Sequence, residues 1–271
     1  MRSLDRRTFD AIARLMHRTV GLSLPESKVN FVANRLAARI QSLELGGYSD
    51  YHRLIADGDP HGEYQVAVDL LTTNETYFFR EQAHYDLLEQ EFARTPRQAL
   101  SIWSAASSFG DEAYSLAMLL SEMQVKGQVA DGWSILGTDI SDRALRTAVD
   151  GIYPEERMRN VPPQLLRRHC LRGTGDDAGL VQVGPKLRHH VHFGRINLCE
   201  PFDNIGLFDV ILLRNVLIYF DNETKLDVVD RVLEHLRPGG IFMVGTGEGR
   251  IASSQPLAAL APGAWRKPTR N

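Results

Sequence analysis

Several short stretches of this chain carry side chains of the kinds that bind and orient a ligand. Thr72-Thr73-Asn74-Glu75-Thr76-Tyr77-Phe78-Phe79-Arg80 runs from hydroxyl and amide groups through three aromatics to an arginine. Such a segment either caps a helix and gives its aromatics to a core, or wedges against a larger domain with Asn74, Thr76 and Arg80 lining a cleft. Ala105-Ala106-Ser107-Ser108-Phe109-Gly110 is a turn of mainly small residues, through which a ligand can approach the backbone closely. Asp111 and Glu112 follow at once. Acids there, with no G-x-G-x-x-G and no G-x-x-x-x-G-K-[ST], speak against a pyrophosphate and allow a ligand carrying positive charge. Thr138-Asp139 ends an apolar run in an acid suited to ribose hydroxyls or to capping a helix, a task for which Ser141 is better placed. Asp209 to Phe220 is a further apolar run, broken by the polar pair Arg214-Asn215.

These groups need a scaffold that gathers them, and the apolar runs supply one. Residues 100–104, 133–139, 190–196, 209–213 and 241–245 read as strands, separated by helices from Asp111, from Ser141 and over 222–236. Runs that are hydrophobic without alternation are covered on both faces, as in a parallel sheet. A parallel sheet gathers its carboxyl ends along one edge, so the exits at Ala105, Asp139, Asn197 and Asn215 can converge on one nucleoside-sized ligand. Between Asp150 and His189 the pattern is irregular. Arg172-Gly173-Thr174-Gly175-Asp176-Asp177-Ala178-Gly179 reads as a reversal before the alternating Leu180-Val181-Gln182-Val183, giving a small antiparallel insert.

Before the sheet, Phe9, Ile12, Leu15, Met16 and Val20 fall at helical spacing, and Val29, Val32, Leu36, Ile40 and Leu43 do so again. Shorter helices are expected over 48–57 and 61–71. Through residue 45 there are eight Arg or Lys against four acids, so the outer faces of the first helices are basic. Such a face is either solvated surface or a dock for an acidic partner. The whole chain, at 271 residues with a net charge of −3, is too near balance to argue for nucleic acid. Two cysteines are too few for a disulfide framework or a zinc site, and His189, His190 and His192 have no second ligand cluster nearby, so no metal is expected. No apolar run approaches a membrane span, and the first residues lead into no signal-peptide core. A cytoplasmic location is expected.

Taken together, Asn74-Glu75-Thr76-Tyr77-Phe78-Phe79-Arg80, Trp103-Ser104-Ala105-Ala106 with Gly110-Asp111-Glu112-Ala113-Tyr114-Ser115, Thr138-Asp139-Ile140 and Arg214-Asn215-Val216-Leu217-Ile218-Tyr219-Phe220 resemble the CheR family, the chemotaxis receptor glutamate O-methyltransferases. The resemblance runs from the first helices to about Glu248. It implies an α/β fold: a Rossmann-like S-adenosylmethionine-dependent methyltransferase sheet with an N-terminal helical domain and a small inserted antiparallel β-subdomain. The divisions it suggests are 1–72 for receptor docking, 73–98 as a linker contributing to the cofactor site, and 99–271 for the methyltransferase domain, with the insert at about 152–188.

By this resemblance, Asn74, Thr76, Arg80, Glu112, Asp139, Asn197, Leu198, Asn215 and Val216 contact S-adenosylmethionine. Asp139 would take the ribose, Asn197 and Leu198 the adenine region, and Arg80 the methionine carboxylate. Arg80 and Tyr219 would orient the reacting groups, with no catalytic base. The implied partners are the methylation helices of chemoreceptors, facing the basic N-terminal helices. A receptor C-terminal peptide is a further implied partner, gripped by the hairpin with Arg172, Gly173 and Gly175. A monomer is expected. The chain departs from the family at Asp111, where Glu is usual, at Ala113, where Pro is usual, and at the bulky Phe109. Gln182 stands where tethering members often carry a basic residue, and Gly245-Thr246-Gly247-Glu248 replaces the usual Gly-His-Ser-Glu. Residues 258–271, with Pro262, Gly263 and Pro268, read poorly as a closing strand, and a frayed tail is expected. Two other classes stay open: a methyltransferase of a small molecule, and an inactive cofactor-binding signalling module.

Overall fold

The computed structural model describes residues 3–57, 62–94, 98–202, 205–249 and 251–269. His61, where the sequence starts the fourth helix, and Arg270 and Asn271 at the end of the tail lie outside them. The chain opens with α1 (Arg6–Val20), α2 (Val29–Ser42), α3 (Tyr48–Ala56) and α4 (Glu63–Leu71). Asp5 caps α1 by accepting from the Thr8 amide at 3.0 Å, and Gly21 ends it in the left-handed conformation. Phe9, Ile12, Leu15, Met16 and Val20 are buried in one cluster with Val32, Leu36 and Ile40, each set on one face of its helix as the spacing requires.

Next comes α5 (Gln82–Arg94), which packs Tyr85 and Leu88 into the core of the main sheet together with Phe78. Residues 82–94 of segment 73–98 are therefore a helix of the larger core. The sheet then begins with β1 (Ser101–Ser104), α6 (Asp111–Val125), β2 (Ser134–Asp139) and α7 (Asp142–Asp150). An insert follows: β3 (Ile152–Pro154), α8 (Pro163–His169), β4 (Cys170–Arg172) and β5 (Leu180–Val183). After α9 (Pro185–Arg188), the chain returns through β6 (Val191–Arg195), β7 (Phe208–Leu212), α10 (Asn222–Glu234), β8 (Leu236–Met243), β9 (Ala258–Ala261) and β10 (Ala264–Arg266).

The main sheet has strand order β6-β2-β1-β7-β8-β10-β9, parallel from β6 to β8 and antiparallel beyond. The chain steps outward from β1 to β2 to β6, then crosses to β7 on the other side of β1. That reversal opens a crevice at the carboxyl ends of β1 and β7. The insert is a separate sheet in the order β3-β5-β4, antiparallel throughout. It has three strands where the sequence suggested a hairpin, because Ile152–Pro154 pairs with the far side of β5.

Two expectations need correcting: the strand over 241–245 and the frayed tail. Arg237-Pro238-Gly239-Gly240 does not stay outside that strand. It is drawn into the start of β8, where the pairing with β7 slips between Phe208 and Val210 and Gly239 sits at φ 80°. Nor does the tail fray over its described residues: β9 and β10 form a hairpin that closes the sheet against β8. The turn signal was present in the sequence, since Pro262 presets the first turn position and Gly263, at φ 73°, supplies the second. A side chain on Gly263 would also meet the Val244 carbonyl at 2.8 Å.

The helical layer is fixed to the sheet by few polar contacts. His17 Nε2 lies 2.5 Å from Asp221 Oδ2, Gln65 Nε2 donates to the Ile140 carbonyl at 2.8 Å, and the Arg143 amide donates to Asp69 at 3.1 Å. Asp221 also caps α10. The Thr224 amide, with His17 and the Thr224 hydroxyl, holds the Asp221 carboxyl down at about 2. A depressed folded-state pKa stabilises the protein above the unfolded value of about 3.9, and that contribution disappears as pH falls through the folded value. Asp221→Ala is therefore expected to lower the melting temperature by about 2–4 °C near neutral pH. The gap to wild type should narrow as pH falls from about 4 toward 2. Thermal unfolding across that range checks it, and a constant gap would show that charge is not what stabilises the cap.

Candidate active site

Side by side, the ends of β6, β2, β1 and β7 open into a cleft of about 990 Å³, part of it open to solvent. Every residue assigned from the sequence to the cofactor or to chemistry lines it: Asn74, Thr76, Arg80, Glu112, Asp139, Asn197, Leu198, Asn215, Val216 and Tyr219. They arrive from the segment before α5, the start of α6 and three strand exits.

The β1 exit sets the floor. Ala105 and Ala106 present little side chain, and the turn that follows takes Ser108 and Gly110 into the left-handed region at φ 52° and 90°. The Ser107 amide donates to the Thr138 carbonyl at 2.8 Å, and the Ser108 amide to Asp139 Oδ2 at 2.8 Å. Asp139 Oδ1 accepts from the Ser141 amide at 3.0 Å, while the Ser141 hydroxyl caps α7, as the sequence suggested. Burial pushes the Asp139 carboxyl up, against the pull of the Ser141 and Ser108 amides. With the amides of Ser108, Ser141 and Ile140 on it, the carboxylate still keeps acceptor capacity for a ligand hydroxyl.

Opposite stands a buried cation. Arg214, at the β7 exit, lies 2.9 Å from Glu112 and 3.3 Å from Glu81, and it donates to the Arg80 carbonyl. Burial disfavours its charge, but Glu112, Tyr85 and Glu81 more than offset this and hold its pKa above the usual arginine value. Glu112 also accepts from the Ser104 hydroxyl at 2.7 Å. Asn215 is left-handed at φ 58°; its amide donates to Glu248 Oε2 at 2.7 Å, and its side chain reaches Glu81 at 3.3 Å. Arg214, which the sequence marked only as half of a polar pair, lines the cleft; Glu81, which does not line it, was not singled out as its partner. Their signal is weak in the chain, because the acids that pair with Arg214 lie about a hundred residues or more before it.

The segment before α5 does act as a wedge. Phe78 is buried edge-on to Tyr153, with ring centroids 5.1 Å apart, and Phe79 packs near Tyr85. Phe79 and Glu81, at φ 55° and 59°, turn the chain so that Arg80 between them faces the cleft. The Arg80 guanidinium sits 5.7 Å from the Tyr77 ring centroid and donates to the Glu75 carbonyl at 2.9 Å. The Ser108 hydroxyl donates to the Asn74 carbonyl at 3.1 Å, tying this segment to the turn. Tyr219 is half-buried; burial raises its phenol pKa, with Thr73 and Arg80 pulling the other way. It therefore stays protonated at neutral pH.

Val20 and Leu22 of the helical layer complete the wall. Asn197 joins the two layers, donating to the Thr19 carbonyl at 2.6 Å and accepting from the Cys199 amide. The bulky Phe109 does not line the cleft. Arg172 and Gly173 line a second depression on the insert, with Leu171, Thr174 and Gln182; Gly175 does not line it. Among the described residues no three His, Cys, Asp or Glu side chains gather to hold a metal ion, and no helix is long and apolar enough to cross a membrane.

Residues 74–259 match the CheR methyltransferase SAM-binding domain, and residues 7–72 match the CheR methyltransferase all-alpha domain. The chain is 41% identical over 259 residues to chemotaxis protein methyltransferase 2 of Pseudomonas aeruginosa, covering 94% of this chain and 91% of that one. It is 38% identical over 241 residues to the chemotaxis protein methyltransferase of Escherichia coli, covering 89% and 83%. With both domains matched in order and relatives of this identity along most of its length, the chain belongs to the CheR family of S-adenosylmethionine-binding methyltransferases.

Proposed function

We propose that this protein transfers the methyl group of S-adenosylmethionine to glutamate side-chain carboxylates of chemoreceptors, leaving methyl esters and S-adenosylhomocysteine. The observation that carries the reading is the single cleft in which Asp139, Glu112, Arg80, Asn197, Asn215 and Tyr219 meet. Its lining suits such a cofactor. Asp139 offers spare lone pairs to ribose hydroxyls, Glu112 a carboxylate to an ammonium group, and Arg80 a guanidinium to a carboxylate. Leu198 and Val216, with the Asn197 and Asn215 amides, suit a flat heterocycle.

The bound cofactor supplies a methyl group on a cationic sulfur, so an anionic acceptor meets an opposite charge that is neutralised in the transfer. A glutamate with a reference pKa of about 4.3 is already ionised at neutral pH, so the protein needs no general base. Its task is to align the partners and exclude water. Arg80 and Tyr219 are placed for that. A guanidinium can hold a carboxylate, and a phenol kept protonated by burial can donate to one.

The acceptor reading rests on charge and position. Arg7, Arg14, Arg18, Lys28 and Arg35 are exposed on the helices that lead to the cleft, whereas Arg39 is tied to Glu63 at 2.9 Å. An acidic helix laid on that face would bring a glutamate to the rim beside Val20 and Leu22. The depression around Arg172 and Gly173 offers a second, separate hold for a peptide, and tethering there would raise local concentration without altering the cleft.

Purified protein is expected to move labelled methyl from S-adenosylmethionine onto receptor-containing membranes in an alkali-labile form. Label that survives mild alkali, or that appears only on small molecules, removes the receptor reading. Asp139→Asn is expected to weaken calorimetric binding of S-adenosylhomocysteine about 10- to 100-fold, the worth of hydrogen bonds to a charged group. Unchanged affinity would refute the ribose assignment. Tyr219→Phe should lower kcat about 10-fold or more while cofactor affinity stays within about twofold. Steady-state rates at saturating cofactor check this, and an unaltered kcat would take Tyr219 away from the reacting groups.

A further inference from the structure

We propose that the antiparallel insert is a working part of the cofactor site: Tyr153 and Arg157, at its root, are positioning residues that fix the Ser107–Glu112 turn. The inference rests on the reading that the cleft holds S-adenosylmethionine.

The insert returns to that turn at two points. The Tyr153 hydroxyl donates to the Phe109 carbonyl at 2.6 Å, and the ring itself is fully buried. Arg157, in the short 3-10 turn after β3, donates from Nε and Nη2 to the two oxygens of Asp111, each at 2.8 Å. Asp111 is 0% exposed. The same guanidinium lies 4.6 Å from the Phe109 ring centroid, with Arg143 at 5.7 Å, so this ring is held by two cations away from the cleft. Two departures from the family pattern, Phe109 and Asp111, are thus both answered by Arg157.

The turn needs such support. Ser108 has a side chain yet is left-handed, a conformation that persists only where the surroundings over-determine it. A side chain at Gly110 would be strained by φ 90° and crowded, since a Cβ would sit 3.0 Å from the Ala148 Cβ and 3.1 Å from the Tyr153 hydroxyl. The inner side of the same turn presents Ser108 and Glu112 to the cleft. Asp111 also reaches across the site, because its carbonyl accepts from the Ser115 hydroxyl at 2.6 Å and Ser115 accepts from the Phe79 amide at 2.9 Å. One continuous set of bonds therefore runs from Arg157 through Asp111 and Ser115 to the residue before Arg80.

Stability alone is a poor reason for this ion pair. Apolar residues of matched volume often replace a buried pair at no cost or with a gain, whereas removing one partner strands the other charge. What the pair does provide is direction. The planar, two-pronged guanidinium fixes the orientation of Asp111, and with it the first turn of α6 and the neighbouring Glu112.

The test is calorimetric titration with S-adenosylhomocysteine, alongside steady-state rates and melting curves. Tyr153→Phe removes one hydroxyl and leaves the ring packed; the expected loss of affinity is about 3- to 10-fold. The double variant Arg157→Met with Asp111→Leu removes the pair without stranding a charge, and a loss of about 10-fold or more is expected, with KM for S-adenosylmethionine rising in step and kcat at saturation within about twofold. Arg157→Lys should recover part of the affinity that Arg157→Met loses. Wild-type affinity in Tyr153→Phe and in the double variant, whatever their melting temperatures, would make the contacts merely structural and overturn the proposal. Tyr153→Phe decides alone should the double variant not fold. Asp139→Asn, titrated in parallel, separates the two readings. Weakened binding there with normal binding in the insert variants sinks only this inference, whereas normal binding in Asp139→Asn and in the insert variants alike puts the ligand outside this cleft and removes both readings.

Discussion

A buried guanidinium holds the site together. Arg214 emerges from β7 into the core, where an unpaired cation would be very costly, and its surroundings are arranged to meet that demand. Glu112 comes from the first turn of α6, and Glu81 and the Arg80 carbonyl come from the segment just before α5. The β7 exit, α6 and that segment are thereby brought to one charge. The neighbours follow from it: Glu81 also holds the Asn215 side chain and the Thr246 amide, and Asn215 in turn is fixed by Glu248. The left-handed conformations at Phe79, Glu81 and Asn215 cluster around this centre. Their strain is located where the cleft is shaped.

Much of the architecture was legible because it rests on local rules. The apolar spacing in α1 and α2 names the residues of their common core, and unalternating runs mark the parallel strands. Ser141 as the α7 cap follows from residue type alone. The convergence of Ala105, Asp139, Asn197 and Asn215 was also within reach, since a parallel sheet sends its carboxyl ends to one side. The contents of the cleft were legible chiefly through family resemblance. Composition alone made Asn74, Thr76 and Arg80 as consistent with a helix cap as with a binding wall.

What stayed hidden depends on pairs far apart in sequence. The Arg214–Glu81 and Arg157–Asp111 contacts join residues 133 and 46 positions apart, counted from their numbers, and nothing in either local sequence names its partner. The closing hairpin was misjudged for a different reason. Alanine is a weak strand former and Pro-Gly a strong breaker, so propensity argued for a loose end. The same dipeptide makes the tight turn once β8 offers an edge, and Trp265 then packs toward Phe242. Tertiary pairing outweighed local preference there.

The position of that hairpin along the chain has a consequence for biogenesis. The Pro262 carbonyl lies 3.4 Å from His84 Nε2, and Gly263 packs closely against the same imidazole, which belongs to the helix just after Arg80. Residues 258–266 leave the ribosome after every other part of the site has been made. Until they pair with β8, the imidazole lacks its cover and the helix that follows Glu81 is not clamped from behind. A nascent chain can therefore build its helical layer and most of its sheet and still present an unfinished cleft until residues 258–266 have emerged and paired with β8.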